Sequence, residues 1–250
     1  MRRHSLLALA CAFLSLACGR AHAQQFNSDS YLSKAHGMAT IILTYGDRND
    51  IFMNTFSLLP RWEFTAAVYV YNTDDDPKTD DGYSTSFYAK YMFYENKAKT
   101  GGFAVKAGTG MDPGYLVSVG LQDAFKTYWT NAPATLPLFH DKLSWDIMPG
   151  ASVTFDYGSD NVTAASFTYS TRLAWYPTSP KWSLVGEVFG AEGGTTAIPE
   201  YKVGPRWEPN QHVVIALTYG QEFNGSQGAG WEAGVMLFTP PFLCIGGCDK

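Results

Sequence analysis

One serine and three histidines could carry hydrolytic chemistry in this chain. A serine nucleophile needs a histidine within hydrogen-bond reach to accept its proton. Beyond an N-terminal leader the histidines are His36, His140 and His212, and Ser144 lies four residues after His140. On a strand, that spacing puts the two side chains on one side but too far apart for direct contact. The chain has no Gly-x-Ser-x-Gly elbow, zinc-binding His-Glu-x-x-His or phosphate-binding glycine loop. We therefore expect no catalytic residue, metal or cofactor, and keep a barrel enzyme acting on lipid acyl chains as an alternative.

Charged side chains at alternating positions could instead sort ions or small molecules. When each alternating segment is divided into two faces, every charged residue of a strand interior shares a face with Ser, Thr, Gly and Ala. Such residues can form a selectivity lining or a salt-bridged network that fills a narrow lumen. We expect a cross-strand cluster of Glu187, Arg172, Lys202 and Arg206. The full set of predicted lumen-lining and selectivity residues is Glu63, Lys90, Lys106, Asp146, Asp156, Arg172, Glu187, Lys202, Arg206, Glu222 and Glu232.

Two further groups could bind ions or form a covalent link. Residues 74–76 and 80–81 are all aspartate and could hold Ca²⁺ or cations that bridge lipopolysaccharide. They lack the bidentate Glu and fixed Gly of a calcium loop, so a solvated hairpin tip is the preferred interpretation. Cys244 and Cys248 lie four residues apart near the C-terminus, and no further soft ligands for zinc are near. In an oxidising compartment we expect them to form a disulfide.

The first 23 residues have the pattern of a cleaved signal peptide. A basic start at residues 2–4 precedes an apolar run over 5–18, and Ala21-His22-Ala23 predicts cleavage before Gln24. The apolar run is shorter than the roughly 20 residues that a membrane-spanning helix needs. A lipoprotein signal at Leu16-Ala17-Cys18 is a looser match. The sequence therefore predicts export.

Composition excludes several classes of protein. Hydrophobic residues make up 46% of the 250 residues and charged residues only 16%, against roughly 25% charged in soluble globular proteins. The leader holds three of the 18 basic residues and none of the 23 acidic ones, so the remaining chain is more acidic still. An acidic chain without a basic cluster does not suit nucleic acid. Disordered, collagen-like and coiled-coil classes are excluded as well.

The elements that must position these charges are β-strands. Hydrophobicity alternates with a period of two, as over residues 162–176, where Phe167, Tyr169 and Leu173 share one face. We expect one domain over residues 24–239 and a tail over 240–250, with residues 122–142 as a long loop. About twelve strands are predicted, near 37–45, 51–58, 61–72, 83–94, 102–109, 115–121, 143–157, 161–176, 181–190, 197–207, 211–222 and 230–238.

The composition of the two faces favours a membrane barrel over a soluble one. A soluble barrel would cover its wet side with Lys and Glu, whereas here the polar face is mostly small and the other face carries no charge. A lipid-facing Arg or Lys at the bilayer midplane costs roughly 2–4 kcal/mol, and a closed barrel satisfies every backbone hydrogen bond between its strands. The sequence therefore predicts an all-β, transmembrane, antiparallel up-and-down barrel.

Tryptophans and turns predict how this barrel is oriented. Trp62, Trp175, Trp182 and Trp207 flank short proline-containing turns, where an interfacial aromatic girdle belongs. We expect those turns at the periplasmic end, and residues 74–82 and 224–230 at the outer end. The count of strands then puts the 122–142 loop at the periplasmic end. Either the predicted number of strands is wrong by one at that point, or that loop folds into the lumen as a plug.

Four segments resemble one family of Gram-negative outer-membrane proteins. They are Leu43–Arg48, Trp182–Gly190, Val203–Asn210 and Gly228–Gly234, and the last three lie in the second half of the chain. They are similar to the family named for the meta-cleavage pathway of phenol degradation, although each is a hairpin pattern that other barrels share. The resemblance implies a barrel of this size that passes small, including aromatic, compounds. This chain departs from the usual barrel by continuing past Phe238 to Lys250.

We therefore expect a passive outer-membrane channel for small molecules, aromatic or hydrophobic ones included. Its expected partners are outer-membrane lipid and lipopolysaccharide, small-molecule solutes and the barrel-assembly machinery, with no nucleic acid. A structural or adhesion barrel, whose outer loops bind a surface partner, is a further alternative. The oligomeric state stays open.

Overall fold

The computed structural model describes residues 28–31, 36–71, 82–112, 124–155, 163–194, 197–225, 228–243 and 245. In this part of the chain no helix is long and apolar enough to cross a membrane. The strands are β1 (Ala39–Gly46), β2 (Asn49–Leu59), β3 (Trp62–Tyr71), β4 (Gly82–Glu95), β5 (Gly102–Gly110), β6 (Thr127–Asn131), β7 (Ala134–Leu138), β8 (Leu143–Phe155), β9 (Thr163–Trp175), β10 (Trp182–Gly193), β11 (Ala197–Asn210), β12 (Val213–Glu222) and β13 (Gly230–Phe238).

These strands close into an antiparallel barrel in which neighbours in sequence are neighbours in space. The last strand pairs with the first, from Thr40 opposite Phe238 to Gly46 opposite Glu232. Both β6 and β7 lie between β5 and β8 and together occupy one strand position. The barrel therefore has twelve strand positions, and the predicted all-β barrel fold is confirmed.

The interruption between β6 and β7 has a local cause. Pro133 lacks the N–H that a continuous ladder needs. Pairing survives on both sides, because Ala132 N donates to Pro149 O at 2.9 Å and Ala104 N donates to Pro133 O at 2.9 Å. The broken strand is therefore still part of the barrel wall.

This wall strand corrects one sequence-based prediction. The 122–142 segment is not a long loop or a lumen plug, because residues 127–131 and 134–138 pair with strands on both sides. The strand predicted near 115–121 lies outside the described residues. The proline in the middle of the true strand, and the aromatic and polar residues around it, hid the alternation. The connection that precedes this strand instead joins the end that carries the other long connections.

The two faces of the strands differ sharply in chemistry. Along β3, exposed and buried side chains alternate, and large apolar residues such as Phe64, Phe87 and Leu173 cover the outside of the barrel. Among the described strands, only three charged side chains are not buried, and each lies at or next to a strand end: Asp50, Glu95 and Glu192. The outer surface is thus an apolar belt, and the charges of the strand interiors face inward.

Aromatic residues mark the two ends of the barrel. The turns after β2, β4, β7, β9 and β11 are all short and lie at one end, here called the short-turn end. The other end, here called the long-loop end, carries the longer connections together with the brief connections after β1 and β10. At the short-turn end, Trp182 stacks on Trp207 with ring centroids 5.5 Å apart, and Trp62 lies 4.8 Å from Tyr91. Trp175 lies at the same end, where β9 finishes. All four predicted girdle tryptophans therefore lie at one end.

Candidate functional site

The interior of the barrel holds an unusual number of buried charges. Ten of the eleven predicted lumen residues are buried, each exposing 6% or less of its surface. Asp156 lies outside the described residues. The ten are Glu63, Lys90, Lys106, Asp146, Arg172, Glu187, Lys202, Arg206, Glu222 and Glu232.

Strand register arranges seven of these residues into two runs of direct neighbours. In an antiparallel barrel, residues opposite each other on adjacent strands point to the same side. The first run crosses β3, β4 and β5, and the second crosses β8, β9, β10 and β11. We call them the charge row. Its first run is Glu63–Lys90–Lys106, and its second is Asp146–Arg172–Glu187–Lys202.

The second run alternates in sign and pairs closely. The Asp146 carboxylate accepts hydrogen bonds from Arg172 Nη2 at 2.7 Å and Nε at 2.9 Å. Thr135 Oγ1 also donates to Asp146 at 2.5 Å. Buried charges are tolerated only when partners with good geometry compensate their lost hydration. Here each charge has a neighbour of opposite sign on the next strand.

The first run does not alternate. Lys90 pairs with Glu63 at 2.7 Å but faces Lys106 directly across β4 and β5. Lys106 is fully buried, and its Nζ makes no hydrogen bond in the described structure. That nitrogen lies 5.5 Å from the ring centre of Tyr88 and 5.8 Å from that of Trp129. Like charges opposite each other destabilise a sheet, so this position needs an anion from elsewhere.

That anion comes from residues 28–31, which we call the lumen segment. An oxygen of Asp29 lies 3.3 Å from Lys90 Nζ and 3.8 Å from Lys106 Nζ. Both lysines and Asp29 are buried, so little water screens this carboxylate from the two ammonium groups. Asp29 is therefore an ionised carboxylate between the two lysines.

The lumen segment spans the interior between distant strands. Ser28 N donates to the Glu187 carboxylate on β10. Tyr31 N donates to Thr135 Oγ1 on β7 at 3.3 Å. The buried Tyr31 ring packs against Gly102, where a Cβ would overlap it. Nothing in the strand periodicity pointed to this segment, because it precedes β1.

A second charged cluster lies nearer the long-loop end. Glu200 faces Glu222 across β11 and β12, and its Oε1 accepts a hydrogen bond from Ala229 N at 2.8 Å. Lys202 Nζ lies 2.8 Å from Glu232. Sequence analysis missed Glu200, although it has the same parity along β11 as Lys202.

The predicted cluster of four is only partly assembled. Arg172, Glu187 and Lys202 are neighbours in the charge row, whereas Arg206 Nη2 pairs with Glu208 at 2.8 Å, nearer the short-turn end. Glu208 also accepts a hydrogen bond from the Tyr176 hydroxyl at 3.2 Å. Glu208, like Glu200, is an even number of positions from Lys202 along β11 and so faces the same side, and the sequence analysis missed both.

The candidate catalytic residues do not form a dyad. His140 and Ser144 line a cavity of about 290 Å³ at the short-turn end, and no hydrogen bond joins them. His36 Nε2 lies 2.9 Å from Leu58 O, and His212 Nδ1 lies 3.0 Å from Phe238 O. Those two histidines therefore contact the backbone near the barrel end.

The possible metal and disulfide positions fall mostly outside the described chain. In the part that the structure describes, no three His, Cys, Asp or Glu side chains group as metal ligands. Residues 74–76 and 80–81, together with Cys244 and Cys248, lie outside it. Residues after β13 continue along the barrel end, where Phe242 N donates to Gly37 O at 2.9 Å.

Comparisons with known proteins agree with the barrel at the level of fold. No family model matches the sequence, and a search of curated proteins finds no significant match. Among solved structures, the KdgM porin aligns with a TM-score of 0.56 and 10% identity, covering 80% of this chain and 98% of that chain. KdgM in complex with disordered oligogalacturonate gives a TM-score of 0.54 at 11% identity, covering 80% of this chain and 98% of that chain.

Two further barrels align over a similar share of this chain. The COG4313 outer-membrane channel from Pseudomonas putida F1 gives a TM-score of 0.53 at 11% identity, covering 83% of this chain and 97% of that chain. LpxR from Salmonella typhimurium gives a TM-score of 0.40 at 12% identity, covering 81% of this chain and 100% of that chain. The chain has the fold of outer-membrane porins and channels.

Proposed function

We propose that this protein is a passive channel for small molecules in the bacterial outer membrane. The supporting observation is the contrast between its surfaces, because an apolar belt covers the outside and a row of buried charges lines the inside. Lipid favours the first surface, and hydrated solutes favour the second. The fold shared with porins and channels agrees with this function.

The charged interior has two roles in this proposal. Close pairs such as Arg172 with Asp146 fill and stiffen a narrow lumen. The same charges select solutes by sign, and we propose all eleven sequence-predicted residues, Asp156 included, as the selectivity lining. The two roles are compatible, because a network that leaves a gap is a narrow channel.

The chemistry of the interior bears on the solute. Buried Lys, Arg, Asp and Glu favour polar or charged solutes over hydrophobic ones. One of the similar structures is the KdgM porin in complex with disordered oligogalacturonate. The resemblance to the phenol-pathway family keeps small aromatic compounds as a prediction, and an aromatic acid would satisfy both considerations.

Location and assembly follow from the same proposal. A leader over residues 1–23 would direct export, and the barrel would reach the outer membrane through the barrel-assembly machinery. Outer-membrane lipid and lipopolysaccharide would then surround the apolar belt. The tail over 240–250 would carry the Cys244–Cys248 disulfide on the periplasmic side.

The cavity at the short-turn end supports an alternative function. It brings His140 and Ser144 to one opening, together with Lys142 and Glu208. A lipid-modifying enzyme would hydrolyse acyl esters there and lose that activity in Ser144→Ala or His140→Ala. A structural or adhesion barrel would show neither hydrolysis nor transport.

Planar-bilayer recording of the purified protein tests the channel proposal. Discrete current steps are expected after insertion, with sizes typical of a narrow pore. Membrane-inserted protein that gives no steps, in wild type and in the Asp29→Asn variant alike, would contradict the proposal. Acyl-ester hydrolysis in the same preparation would then favour the enzyme.

A further inference from the structure

The strongest unexplained feature of the interior is the lysine pair at the centre of β4 and β5. Lys90 and Lys106 are opposite each other in register, and both are buried. The barrel wall provides Lys90 with Glu63 at 2.7 Å. For Lys106, the carboxylate within ion-pair distance in the described structure belongs to Asp29 of the lumen segment. The wall places a lysine and an asparagine directly opposite Lys106, Lys90 on one side and Asn131 on the other, and no carboxylate.

We propose that Lys90 and Lys106 form a binding site for the carboxylate group of a small anionic solute, and that Asp29 occupies this site in the structure described here. The inference rests on the proposed channel function and names the class of solute that the channel holds. Asp29 acts as a built-in ligand of the same chemistry, which a solute replaces.

The contact distances support a replaceable occupant. Charge-assisted N–H···O hydrogen bonds are usually about 2.7–2.9 Å long. Asp29 lies 3.3 and 3.4 Å from Lys90 Nζ, and 3.8 Å from Lys106 Nζ without a hydrogen bond. The wall pair Lys90–Glu63 reaches 2.7 Å in the same place. A free carboxylate, which no backbone holds, could approach both ammonium groups more closely than Asp29 does.

The surroundings of Lys106 favour a strong contact with an anion. The rings of Tyr88 and Trp129 lie 5.2 Å apart and both flank the Lys106 ammonium. Both side chains are buried, so little water screens the nitrogen. Coulomb attraction is several times stronger in such a site than in bulk water. A carboxylate that enters this position supplies the hydrogen-bond acceptor that Lys106 Nζ lacks.

The lumen segment competes with solute for the site formed by the two lysines. Asp29 is joined to the barrel by the chain that leads into β1, so it competes with solute at the high effective concentration of a tethered ligand. A solute carboxylate must displace it, and displacement releases one of the contacts that hold the segment in the lumen. Occupancy of the site and the position of the segment are therefore coupled.

Calorimetric titration of the folded protein in detergent with propionate tests the site without requiring transport. We expect Asp29→Asn to bind propionate at least about tenfold more tightly than wild type, because the tethered competitor is gone. Propionamide, the neutral analogue, should bind to neither protein. Adding Lys106→Gln to Asp29→Asn should abolish propionate binding, whereas adding Lys97→Gln, on an exposed turn lysine, should leave it unchanged.

Three outcomes would overturn the proposal. They are equal propionate affinity in wild type and Asp29→Asn, retention of binding after Lys106→Gln, and equally tight binding of inorganic phosphate. If Asp29→Asn does not fold, Lys106→Gln in the wild-type background must still weaken propionate binding relative to Lys97→Gln. If the wild type gives current steps but propionate binding does not respond to these substitutions, this inference is wrong and the channel function stands. If propionate binds as expected but no current steps appear, the channel function is wrong and the carboxylate site stands.

Discussion

The two runs of the charge row solve the same physical problem in different ways. Along Asp146–Arg172–Glu187–Lys202, opposite charges face each other on successive strands, so the wall neutralises itself. Along Glu63–Lys90–Lys106, two cations are adjacent, and a carboxylate from outside the wall lies between them. We therefore expect the self-neutralised run to stabilise the barrel, and the run with adjacent lysines to be where a solute acts.

Breaking the self-neutralised run should have the largest effect on stability. Arg172→Ala leaves Asp146 buried without the guanidinium that donates two hydrogen bonds to one of its oxygens, and removal of one member of a buried pair costs about 3–5 kcal/mol. The free energy of unfolding in guanidinium, measured in detergent, should fall by that amount. The double variant Arg172→Met with Asp146→Leu should recover most of the loss. A single variant as stable as wild type would remove the distinction between the runs.

The corresponding change in the other run should have the opposite sign. Lys106→Met removes a buried ammonium that makes no hydrogen bond, and Asp29 keeps its contact with Lys90. Like charges directly opposite each other destabilise a sheet, so removal of the Lys106 charge opposite Lys90 should stabilise the barrel slightly, by up to about 1 kcal/mol. The same unfolding measurement checks it. A loss as large as that of Arg172→Ala would show that both runs are structural.

Loosening the lumen segment without changing its charge should widen the ion path. Tyr31 is buried against Met92 and Ala104, so Tyr31→Ala removes packing that holds the segment in place. We expect larger single-channel current steps with the strand pairing intact, because the contacts that are lost join the segment to side chains of β4 and β5 and none of them joins two strands. Steps of unchanged size would place the restriction elsewhere in the lumen.

A change on the outer surface should have the smallest effect. Trp182 stacks on Trp207 at the short-turn end, outside the lumen. Trp182→Ala should cost about 1 kcal/mol of unfolding free energy through the lost ring contact. Channel currents should stay as they are in wild type. An altered ion selectivity in this variant would contradict the assignment of the two faces.

Much of the fold was predictable because one physical rule repeats along the chain. Alternation with charges on one face predicts β9 as residues 161–176, and the structure has Thr163–Trp175. The rule failed at β6 and β7, where Pro133 interrupts the strand and the alternating stretch is short. The predicted number of twelve agrees with the structure, although the prediction lacked the β6–β7 position and included residues 115–121, which lie outside the described residues.

The site was less predictable than the fold. Parity along a strand indicates which charges share a face, but it does not give register, so Arg206 was grouped with Glu187 when its partner is Glu208. Asp29 lies before the first strand, where no periodicity applies. Its role depends on contacts with strands that are about 60 and 80 residues away in sequence, which only the closed barrel brings together.

The reversal potential of single channels in a KCl gradient, compared between wild type and Asp29→Asn, shows whether permeating ions pass the charge row. The charge row has four cationic and three acidic side chains, and Asp29 balances them. Removing that carboxylate should move the reversal potential towards that of chloride, with the barrel still folded. An identical reversal potential in the two proteins would mean that ions do not pass the lysine pair, and the charge row would not be the lining of the path.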